Sequence, residues 1–397
     1  MNFPNSIGLF LFVSLLCSCS AFADDWLLWR GPNGNGIAAS NAVPPQSWEN
    51  EEALQWKAYV PGRGHASPIV VGDLVVIATA TEQDQFGIAY DREDGSIRWK
   101  CRIHEGGVPT ALHRKNTAAS STPASDGDNV FFLFHNSGHL FLTAVNRSGE
   151  IVWQKDTGTF VCDYQFGYGA SPTLYGKLLI VVSEHSDGYI AAFSTKDGRE
   201  KWRVPRQNKT SYSSPIVASV AGREQLLLSG ADKVVSHDPR DGSLLWEVAG
   251  TSLATCGTMV WSDDAVFASG GYPNKETIAV RADGSGEILW KNGDKSYELS
   301  MLYVDGHIYT LNDNGIAICW EAKTGEEKWK VRLGGPVSSS PILAGGLIYA
   351  TNERGIVYVF APIPEKFEKV AEYQLGEEGF ATPAFTGGSV FVRTAEQ

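Results

Sequence analysis

The sequence predicts an all-β protein, an eight-bladed β-propeller of four-stranded antiparallel blades that is closed by an N-terminal strand. Three observations predict it. Glycine and tryptophan are frequent, at 42 and 12 of 397 residues, whereas methionine occurs three times. One tryptophan motif recurs along the chain at spacings of 39 to 54 residues. Within each repeat, short apolar runs alternate with glycine turns, which is typical of the four short strands of a propeller blade.

The recurring motif is a glycine four positions before a tryptophan. It occurs six times, at Trp99, Trp153, Trp202, Trp246, Trp290 and Trp329. By chance, about one of the tryptophans would have such a glycine. An indole at the same place in every repeat predicts a structural role, in which each ring fills the gap against a neighbouring blade.

A second motif precedes each repeat and is usually Ser-Pro or Thr-Pro. Six starts carry the proline: Ser67-Pro68, Thr122-Pro123, Ser171-Pro172, Ser214-Pro215, Ser340-Pro341 and Thr382-Pro383. Two further starts, Gly257-Thr258 and Ser300-Met301, lack it. Eight starts predict eight blades.

The first repeat shows the order of elements that we expect in each blade. A short strand at 69–71 and a glycine turn lead to a second strand at 74–78. A third strand ends at 88–91, and a fourth carries Trp99. A single sheet of this size buries too little apolar surface to be stable, so the sheets must stack around a ring.

Closure of the ring is predicted at the eighth repeat, which stops after its second strand at 390–392. The segment Ala53–Lys57, with Trp56, is similar to a fourth strand that lacks the rest of its repeat. We expect it to complete the eighth blade and to tie the ends of the chain together. The third strand of that blade then comes either from Trp26–Trp29 or from beyond Gln397.

The N-terminus predicts export. An apolar run at 7–16, too short to span a bilayer, is followed by Ala21-Phe22-Ala23, which is typical of a secretory signal peptide over residues 1–23 with cleavage after Ala23. Acylation of Cys19 is the alternative. Residues 24–397 are then one propeller domain, periplasmic or secreted, with no other run long enough to cross a membrane.

Charge and cysteines exclude several classes of function. The 45 acidic and 33 basic residues give a net charge of −12, which argues against nucleic-acid binding and favours a soluble monomer. The sequence has no Cys-x-x-Cys pair, so neither a thiol redox site nor a structural zinc site is expected. A disulfide between Cys101 and Cys162, both expected in loops between repeats, is one option. Cys256 and Cys319 are predicted to be buried free thiols.

The candidate binding surface is the loop face, which we define as the face formed by the loops from fourth to first strands and from second to third strands. Its longest loop, Arg102–Ser121, is an insertion, and loops of this length are usually functional or disordered. The candidate ligand- or partner-binding residues are Arg63, His65, His104, His113, Asn116, Asp163, Tyr164, Tyr168 and His185. Converging imidazoles could hold a metal of unknown identity. The alternative is a set of solvated loop residues that are hydrogen-bonded to the backbone.

The Gly-x3-Trp repeat, extended upstream as Ala89-Tyr90-Asp91, resembles the pyrroloquinoline quinone (PQQ) repeat. That repeat occurs in quinoprotein alcohol dehydrogenases and in the propeller lipoprotein of the outer-membrane β-barrel assembly machinery. The segments Trp29–Gly36 and Pro61–His65 are similar to those of a group of exported bacterial propellers. The resemblance covers nearly all of the mature chain and implies the fold. It does not imply that a quinone is bound, because the repeat is a packing motif.

Two functions follow as hypotheses. The first is a non-catalytic binding or scaffold module that takes a protein, peptide or saccharide at the loop face, since neither a Ser-His-Asp nor a phosphate-loop signature is present. The alternative is a PQQ-dependent oxidoreductase for alcohols or sugars, with PQQ and Ca²⁺ over the channel. It would need an aromatic stacking surface, Ca²⁺ ligands and a base, for which Asp163 is the candidate. The sequence has no recognisable Ca²⁺ loop, and the adjacent cysteine pair of those dehydrogenases has no counterpart in the mature chain.

Overall fold

The computed structural model describes residues 25–45, 48, 53–161, 165–185, 187–206 and 209–397. The predicted signal peptide, Cys19, Cys162, Asp163 and Tyr164 lie outside these residues. In the described ranges the secondary structure consists of thirty strands, β1 to β30. None of these ranges holds a helix with the length and apolar character needed to cross a membrane.

Seven four-stranded sheets, which we number as blades 1 to 7, follow the order of the chain. Blade 1 contains β1 (Ile69–Val71), β2 (Leu74–Ala80), β3 (Asp84–Asp91) and β4 (Ile97–Glu105). Blade 2 contains β5 (Ala124–Ser125), β6 (Asn129–Asn136), β7 (His139–Asn146) and β8 (Ile151–Thr159). Blade 3 contains β9 (Thr173–Tyr175), β10 (Leu178–Ser183), β11 (Tyr189–Ser194) and β12 (Glu200–Pro205). Blade 4 contains β13 (Ile216–Val220), β14 (Arg223–Gly230), β15 (Lys233–His237) and β16 (Leu244–Ala249).

The remaining strands repeat this pattern. Blade 5 contains β17 (Val260–Trp261), β18 (Ala265–Gly270), β19 (Glu276–Arg281) and β20 (Ile288–Asn292). Blade 6 contains β21 (Leu302–Val304), β22 (His307–Leu311), β23 (Ile316–Glu321) and β24 (Glu327–Arg332). Blade 7 contains β25 (Ile342–Ala344), β26 (Leu347–Thr351), β27 (Ile356–Ala361) and β28 (Glu368–Gln374). A two-stranded sheet contains β29 (Ala384–Thr386) and β30 (Ser389–Phe391). The predicted four-stranded antiparallel sheets are thereby confirmed.

Burial along a blade explains why the strands differ in composition. Every residue of β2 is buried, and so are the six central residues of β3. In β4, buried and exposed residues alternate after the first position. The middle strands are covered on both faces by neighbouring blades, so they are mainly apolar, with a few buried polar residues such as Thr79 and Gln85. The fourth strand lies at the rim and faces solvent on one side.

The tryptophan of one blade packs on the turn glycine of the next. Trp99 donates from Nε1 to the carbonyl oxygen of Arg147 at 3.0 Å, and its ring lies against Gly149. A Cβ at Gly149 would come within 2.7 Å of Trp99 Cβ, and the φ of +85° also favours glycine. The pairs with the same contact are Trp153–Gly198, Trp202–Gly242 and Trp290–Gly325. Trp246 differs, because its Nε1 donates to Gln225 Oε1 at 2.7 Å.

The Ser-Pro and Thr-Pro starts form a belt of hydrogen bonds between neighbouring sheets. The N–H of Ser67 donates to Thr122 Oγ1 at 3.0 Å. The same bond joins Thr122 to Ser171, Ser171 to Ser214, Thr258 to Ser300, Ser300 to Ser340 and Ser340 to Thr382. The N–H of Thr382 donates to Ser67 Oγ at 3.0 Å, so the belt returns to its beginning. The two-stranded sheet therefore lies between blades 7 and 1.

The belt differs at one joint, between Ser214 and Thr258. There Ser213 Oγ donates to the carbonyl oxygen of Gly257 at 2.9 Å. Thr258 Oγ1 accepts instead from Trp29 Nε1, also at 2.9 Å. The joint that lacks the usual hydrogen bond is therefore the joint at which Trp29, from the N-terminal part of the chain, contacts Thr258.

Residues 25–45, which we call the channel segment, run along the inner strands of the ring. Trp26 and Val70 of β1 exchange both backbone hydrogen bonds, at 2.9 and 3.0 Å. Ile37 pairs with Leu343 of β25, and the N–H of Val43 donates to the carbonyl oxygen of Gly387. Inner strands present unpaired backbone groups toward the axis, and the channel segment satisfies some of them.

This arrangement corrects one prediction. Trp26–Trp29 was one possible source of the third strand of the eighth repeat, but Trp26 pairs with β1 of blade 1. Trp26 and Arg30 are 1% exposed, and Arg30 Nη2 donates to the carbonyl oxygen of Met301 before β21. The segment therefore fills the channel and does not extend a sheet at the rim.

Residues 53–58, which we call the Trp56 segment, are all described and belong to no strand. Trp56 Nε1 donates to the carbonyl oxygen of Arg92 at 3.0 Å. A Cβ at Gly95 would come within 2.5 Å of Trp56 Cε3. Trp56 therefore packs on the turn glycine of blade 1, Gly95, in the same way that Trp99 packs on the turn glycine of blade 2, Gly149.

Two expectations for the cysteines need revision. Cys101 lies buried within β4 and not in a loop, because β4 continues to Glu105. Cys256 lies before β17 and is only partly buried, whereas Cys319 is buried in β23 as predicted. None of these three cysteines forms a disulfide with another cysteine of the described ranges. The bridge from Cys101 to Cys162 stays a prediction, since Cys162 is outside the described residues.

Candidate functional site

The long loop predicted after the first repeat crosses the loop face. It is residues 106–123 between β4 and β5, and we call it the cap loop. Lys115, near its middle, lies with Nζ 2.8 Å from Glu298 Oε2 and 2.8 Å from Glu353 Oε1. Glu298 precedes β21 of blade 6, and Glu353 lies between β26 and β27 of blade 7. A loop from blade 1 is thus tied to two blades that are distant in the sequence.

These charges are largely buried. The side chains of Lys115, Glu298 and Glu353 are 16%, 23% and 8% exposed. Ser338 Oγ lies 2.7 Å from an oxygen of each carboxylate. Burial opposes the charged ammonium, but the hydrogen bonds that it donates to both carboxylates outweigh this effect and raise the pKa of Lys115. Two carboxylates therefore share one ammonium and one hydroxyl.

Glu298 is itself held in place by a neighbouring carboxylate. Asp313 Oδ1 accepts from the N–H groups of Tyr297 at 3.1 Å and Glu298 at 3.2 Å. Lys295 Nζ lies 2.9 Å from Asp313 Oδ2. The backbone on the blade 6 side of the contact is therefore held by Asp313 as well as by Lys115.

His65 anchors the cap loop on the blade 1 side. Its Nδ1 is 3.1 Å from the carbonyl oxygen of Lys115, and its ring stacks on Phe380 with centroids 4.3 Å apart. Burial lowers the pKa of His65 to about 4. The imidazole is therefore neutral at neutral pH, and we assign the donating proton to Nδ1 from this contact.

Three further predicted residues hold the cap loop against its surroundings. Asn116 Nδ2 donates to the carbonyl oxygen of Phe166, and the ring of His113 meets the ring of Phe166 at 5.2 Å, nearly edge to face. Arg63 Nη2 donates to the carbonyl oxygen of Arg114 at 3.0 Å. Arg63, His113 and Arg114 are exposed. The structure thus brings Arg63, His65, His113 and Asn116 together around one loop.

His104 is placed differently. It lies within β4, not in a loop, with ring centroids 4.9 Å from Phe141 and 6.1 Å from Phe134. Burial lowers its pKa to about 4, and Nε2 has no hydrogen-bond partner among the described residues. Its surroundings are those of a packing residue.

Tyr168 and His185 are also buried. The hydroxyl of Tyr168 donates to the carbonyl oxygen of Val182 at 2.7 Å. His185 Nε2 lies 2.8 Å from the carbonyl oxygen of Thr159. At 8% and 0% exposure, neither side chain is presented to a partner.

Sequence reasoning missed the acidic half of this site. The sequence pattern does not single out Glu298, Ser338 or Glu353, and it includes Lys115 only as one residue within the long loop Arg102–Ser121. Glu298 and Ser338 each lie two residues before a repeat start, at Ser300 and Ser340, which is a position that could have marked them. Their meeting with Lys115 has no local signature, because 183 residues separate Lys115 and Glu298.

PQQ and Ca²⁺ do not fit these described residues. The ammonium of Lys115 lies between Glu298 and Glu353, where a cation would bind. The channel segment, with Trp26 and Arg30 fully buried, occupies the axis. Within the described ranges, no group of three or more His, Cys, Asp or Glu side chains could hold a metal ion.

Comparison with known proteins gives one family match. Residues 46–159, 116–303 and 274–362 match the family described as outer membrane protein assembly factor BamB. These segments overlap and together span most of the chain.

Two curated relatives are similar to parts of this chain. The first is outer membrane protein assembly factor BamB of Burkholderia pseudomallei, 23% identical over 315 residues, which are 77% of this chain and 66% of the relative. The second is 1-butanol dehydrogenase (quinone) of Thauera butanivorans, 24% identical over 255 residues, 61% of this chain and 33% of the relative. The chain thus spans just under two thirds of the first relative and one third of the second.

Solved structures show the same fold. BamB from Moraxella catarrhalis superimposes with a TM-score of 0.65 at 15% identity, covering 85% of this chain and 93% of that one. Quinohemoprotein alcohol dehydrogenase from Comamonas testosteroni superimposes with a TM-score of 0.69 at 12% identity, covering 95% of this chain and 78% of that one. At these identities the likeness shows the fold alone, a propeller of PQQ-like repeats.

Proposed function

Because this chain belongs to the family described as outer membrane protein assembly factor BamB, we propose that it is an exported propeller that binds a partner through its loop face. The partner is a protein, peptide or saccharide, and the role is that of a non-catalytic binding or scaffold module. The proposal includes a signal peptide over residues 1–23, a single domain over 24–397, a monomer, and a periplasmic or secreted location.

In this proposal the propeller has eight blades, and the N-terminal part of the chain closes the ring. The belt of hydrogen bonds supports eight, since it runs through the repeat starts and returns from Thr382 to Ser67. Trp56 supports the closure, because it packs on Gly95 as the tryptophans of other blades pack on the next glycine. The eighth blade then consists of β29, β30 and the Trp56 segment.

The observation that carries the binding role is the ordered cap loop. Lys115 holds its middle to Glu298 and Glu353 by partly buried, charge-assisted hydrogen bonds, whereas its outer part is exposed. A loop that is fixed in advance loses less conformational entropy when a partner binds. Such a loop is suited to binding a partner, because binding residues lie more often on surface loops than on the scaffold that positions them.

The exposed part of the cap loop suggests the chemistry of the contact. Arg63 and Arg114 lie side by side, since Arg63 Nη2 donates to the carbonyl oxygen of Arg114. Both arginines are exposed and carry positive charge on a protein whose net charge is −12. They favour carboxylate or carbonyl acceptors on the partner. The exposed His113 adds an imidazole, a planar polar ring, next to Arg114 in the sequence.

The test is a pulldown from periplasmic extract with Arg63→Ala/Arg114→Ala, followed by binding measurements with the purified partner. We expect the double variant to bind at least about tenfold more weakly. Arg199→Ala is the matched control, because Arg199 has an 80% exposed side chain in the β11–β12 turn on the opposite face. Unchanged binding by the double variant would contradict the loop-face role.

A second candidate, the PQQ-dependent oxidoreductase, is favoured by one observation, the similarity to a quinone-dependent 1-butanol dehydrogenase. The cation-binding position between Glu298 and Glu353 is taken by Lys115, which weighs against it. Titration with PQQ and Ca²⁺, read as a change in melting temperature, separates the two candidates. Bound cofactor would raise the melting temperature by mass action.

A further inference from the structure

Arg30 of the channel segment is a charged side chain that the proposed function does not use. It is 1% exposed, and its Nη2 donates to the carbonyl oxygens of Asn35 and Met301, the second of which precedes β21 of blade 6. The preceding residue, Trp29, donates from Nε1 to Thr258 before β17 of blade 5. The Trp29–Gly36 segment, which the sequence analysis singles out, therefore carries a guanidinium group into the interior of the ring.

Two nitrogens of this guanidinium group have no acceptor. An arginine side chain has five N–H donors, of which two belong to Nη2. Those of Nη2 are used by Asn35 and Met301. Nε and Nη1 are buried and have no hydrogen-bond partner among the described residues. Burying a donor without an acceptor is unfavourable, and it is more so when the donor is charged.

The positive charge of Arg30 is not balanced within the described part of the chain either. Burial lowers the pKa of Arg30 to about 9, and no described carboxylate contributes to its pKa. The guanidinium group therefore keeps its proton at neutral pH. Arg206 of blade 3 shows the contrast, because its side chain is 6% exposed and pairs with Glu184, whose side chain is 1% exposed. A buried charge without a partner of opposite sign strongly destabilises a fold.

The backbone around Arg30 holds the guanidinium group in this place. Arg30 has a φ of +63°, in the left-handed region that residues with a side chain rarely adopt. The N–H of Gly36 donates to the carbonyl oxygen of Arg30 at 3.0 Å, so the chain folds back over the side chain. A Cβ placed on Gly36, which has a φ of +80°, would clash with Nη2. Strained residues of this kind are found often where a ligand is held.

We propose that Arg30 binds a small monovalent anion, of the size of chloride, inside the channel. The anion accepts hydrogen bonds from Nε or Nη1 and supplies the negative charge that balances the guanidinium group. The surroundings limit its size, because Leu302 Cδ2 lies within 2.7 Å of the Cβ that was placed on Gly36 and both nitrogens are buried. A larger anion, such as sulfate or gluconate, should therefore not bind there.

This site lies in the channel and does not depend on the proposed function. The probe is bromide, which can replace chloride and scatters X-rays anomalously, with sodium gluconate keeping the ionic strength constant. We expect the melting temperature to rise by about 2 °C for each tenfold increase in bromide above its dissociation constant, because the ion binds only the folded ring. Crystals soaked in bromide should show an anomalous peak within about 3.5 Å of Nε or Nη1.

Arg30→Met is the matched variant, because it keeps a long side chain and removes the charge. It should lose both the bromide dependence and the anomalous peak. Arg199→Ala, which removes an 80% exposed side chain, should keep them. Arg63→Ala/Arg114→Ala should keep them too, which distinguishes failure here from failure of the loop-face proposal. If Arg30→Met does not fold, the soaked crystals of the wild type decide.

A melting temperature that is the same in bromide and in gluconate would overturn the proposal. An equal bromide dependence in Arg30→Met would also overturn it, because the ion would then bind elsewhere. A crystal structure in which a carboxylate of the chain or a water molecule contacts Nε and Nη1, with no anomalous peak after soaking, would give these donors another partner and would likewise overturn it.

Discussion

At the scale of single residues, the contact that recurs around the ring is an indole on a turn glycine. Gly149 satisfies two demands at once, a φ of +85° and the closeness of Trp99. Other glycines satisfy only the first, and Gly306, with a φ of +79°, has nothing within 4 Å of a Cβ placed on it. The two kinds of glycine can therefore be separated experimentally.

We predict that Gly149→Ala destabilises the protein more than Gly306→Ala. Both substitutions force alanine into the left-handed region, at about 1–2 kcal/mol each. Gly149→Ala also places a methyl group against Trp99, which adds about 1–3 kcal/mol. Urea unfolding of both variants gives the difference, and equal losses of unfolding free energy would contradict a role for the indole contact.

His104 gives a prediction of pH dependence. Burial between Phe134 and Phe141 lowers its pKa to about 4, so below its ordinary value of 6.5 the unfolded chain binds a proton that the folded chain does not. Stability from this group is therefore present above pH 6.5 and is lost as the pH falls toward 4. His104→Phe should flatten this part of the profile of unfolding free energy against pH. The exposed His113→Asn is the control, and a variant profile parallel to that of the wild type would refute the assignment.

At the scale of elements, the strands could be predicted and the cap loop only in part. The first repeat predicts β1 at 69–71 and the third strand ending at Asp91, because apolar runs and glycine turns are local signals. The length of the cap loop was also visible. The contacts of the cap loop could not be predicted, because Lys115 binds Glu298 and Glu353, which come from two blades distant in the sequence. The histidines illustrate the same limit, because His65 and His104 are both predicted on the loop face, but His104 lies in β4 and His65 lies under the cap loop.

We predict that Lys115→Met loosens the cap loop and lowers the unfolding free energy by about 2–4 kcal/mol, since it leaves two nearby carboxylates without their cation. Trypsin should then cleave after Arg114 faster than in the wild type. Lys330→Met is the control, because the Lys330–Asp294 pair is about one third exposed and should contribute less than about 1 kcal/mol. Adding Glu298→Gln and Glu353→Gln should restore part of the loss. A loop that stays resistant to trypsin in Lys115→Met would refute the anchoring role.

At the scale of the whole molecule, two features join parts that no repeat contains. The channel segment contacts the inner strands of blade 1 through Trp26 and of blade 7 through Ile37. The belt of hydrogen bonds links the starts of neighbouring sheets and returns to Ser67. The Ser-Pro and Thr-Pro motifs in the sequence predict where most of the repeats begin. It could not show that the hydroxyls accept from the preceding sheet, because that contact exists only once the ring has formed.

Closure of the belt leads to a prediction about its final joint. Ser67→Ala removes the acceptor for the N–H of Thr382, and Ser171→Ala removes the acceptor for the N–H of Thr122. Each leaves one buried donor unpaired, which costs about 1–3 kcal/mol. If the ring is closed, both substitutions should lower the unfolding free energy by the same amount. Ser148→Ala, in an exposed turn, should change it by less than about 0.5 kcal/mol. A neutral Ser67→Ala beside a destabilising Ser171→Ala would mean that the joint between Thr382 and Ser67 is open in solution, and that the two-stranded sheet is held to blade 1 through the Trp56 contact alone.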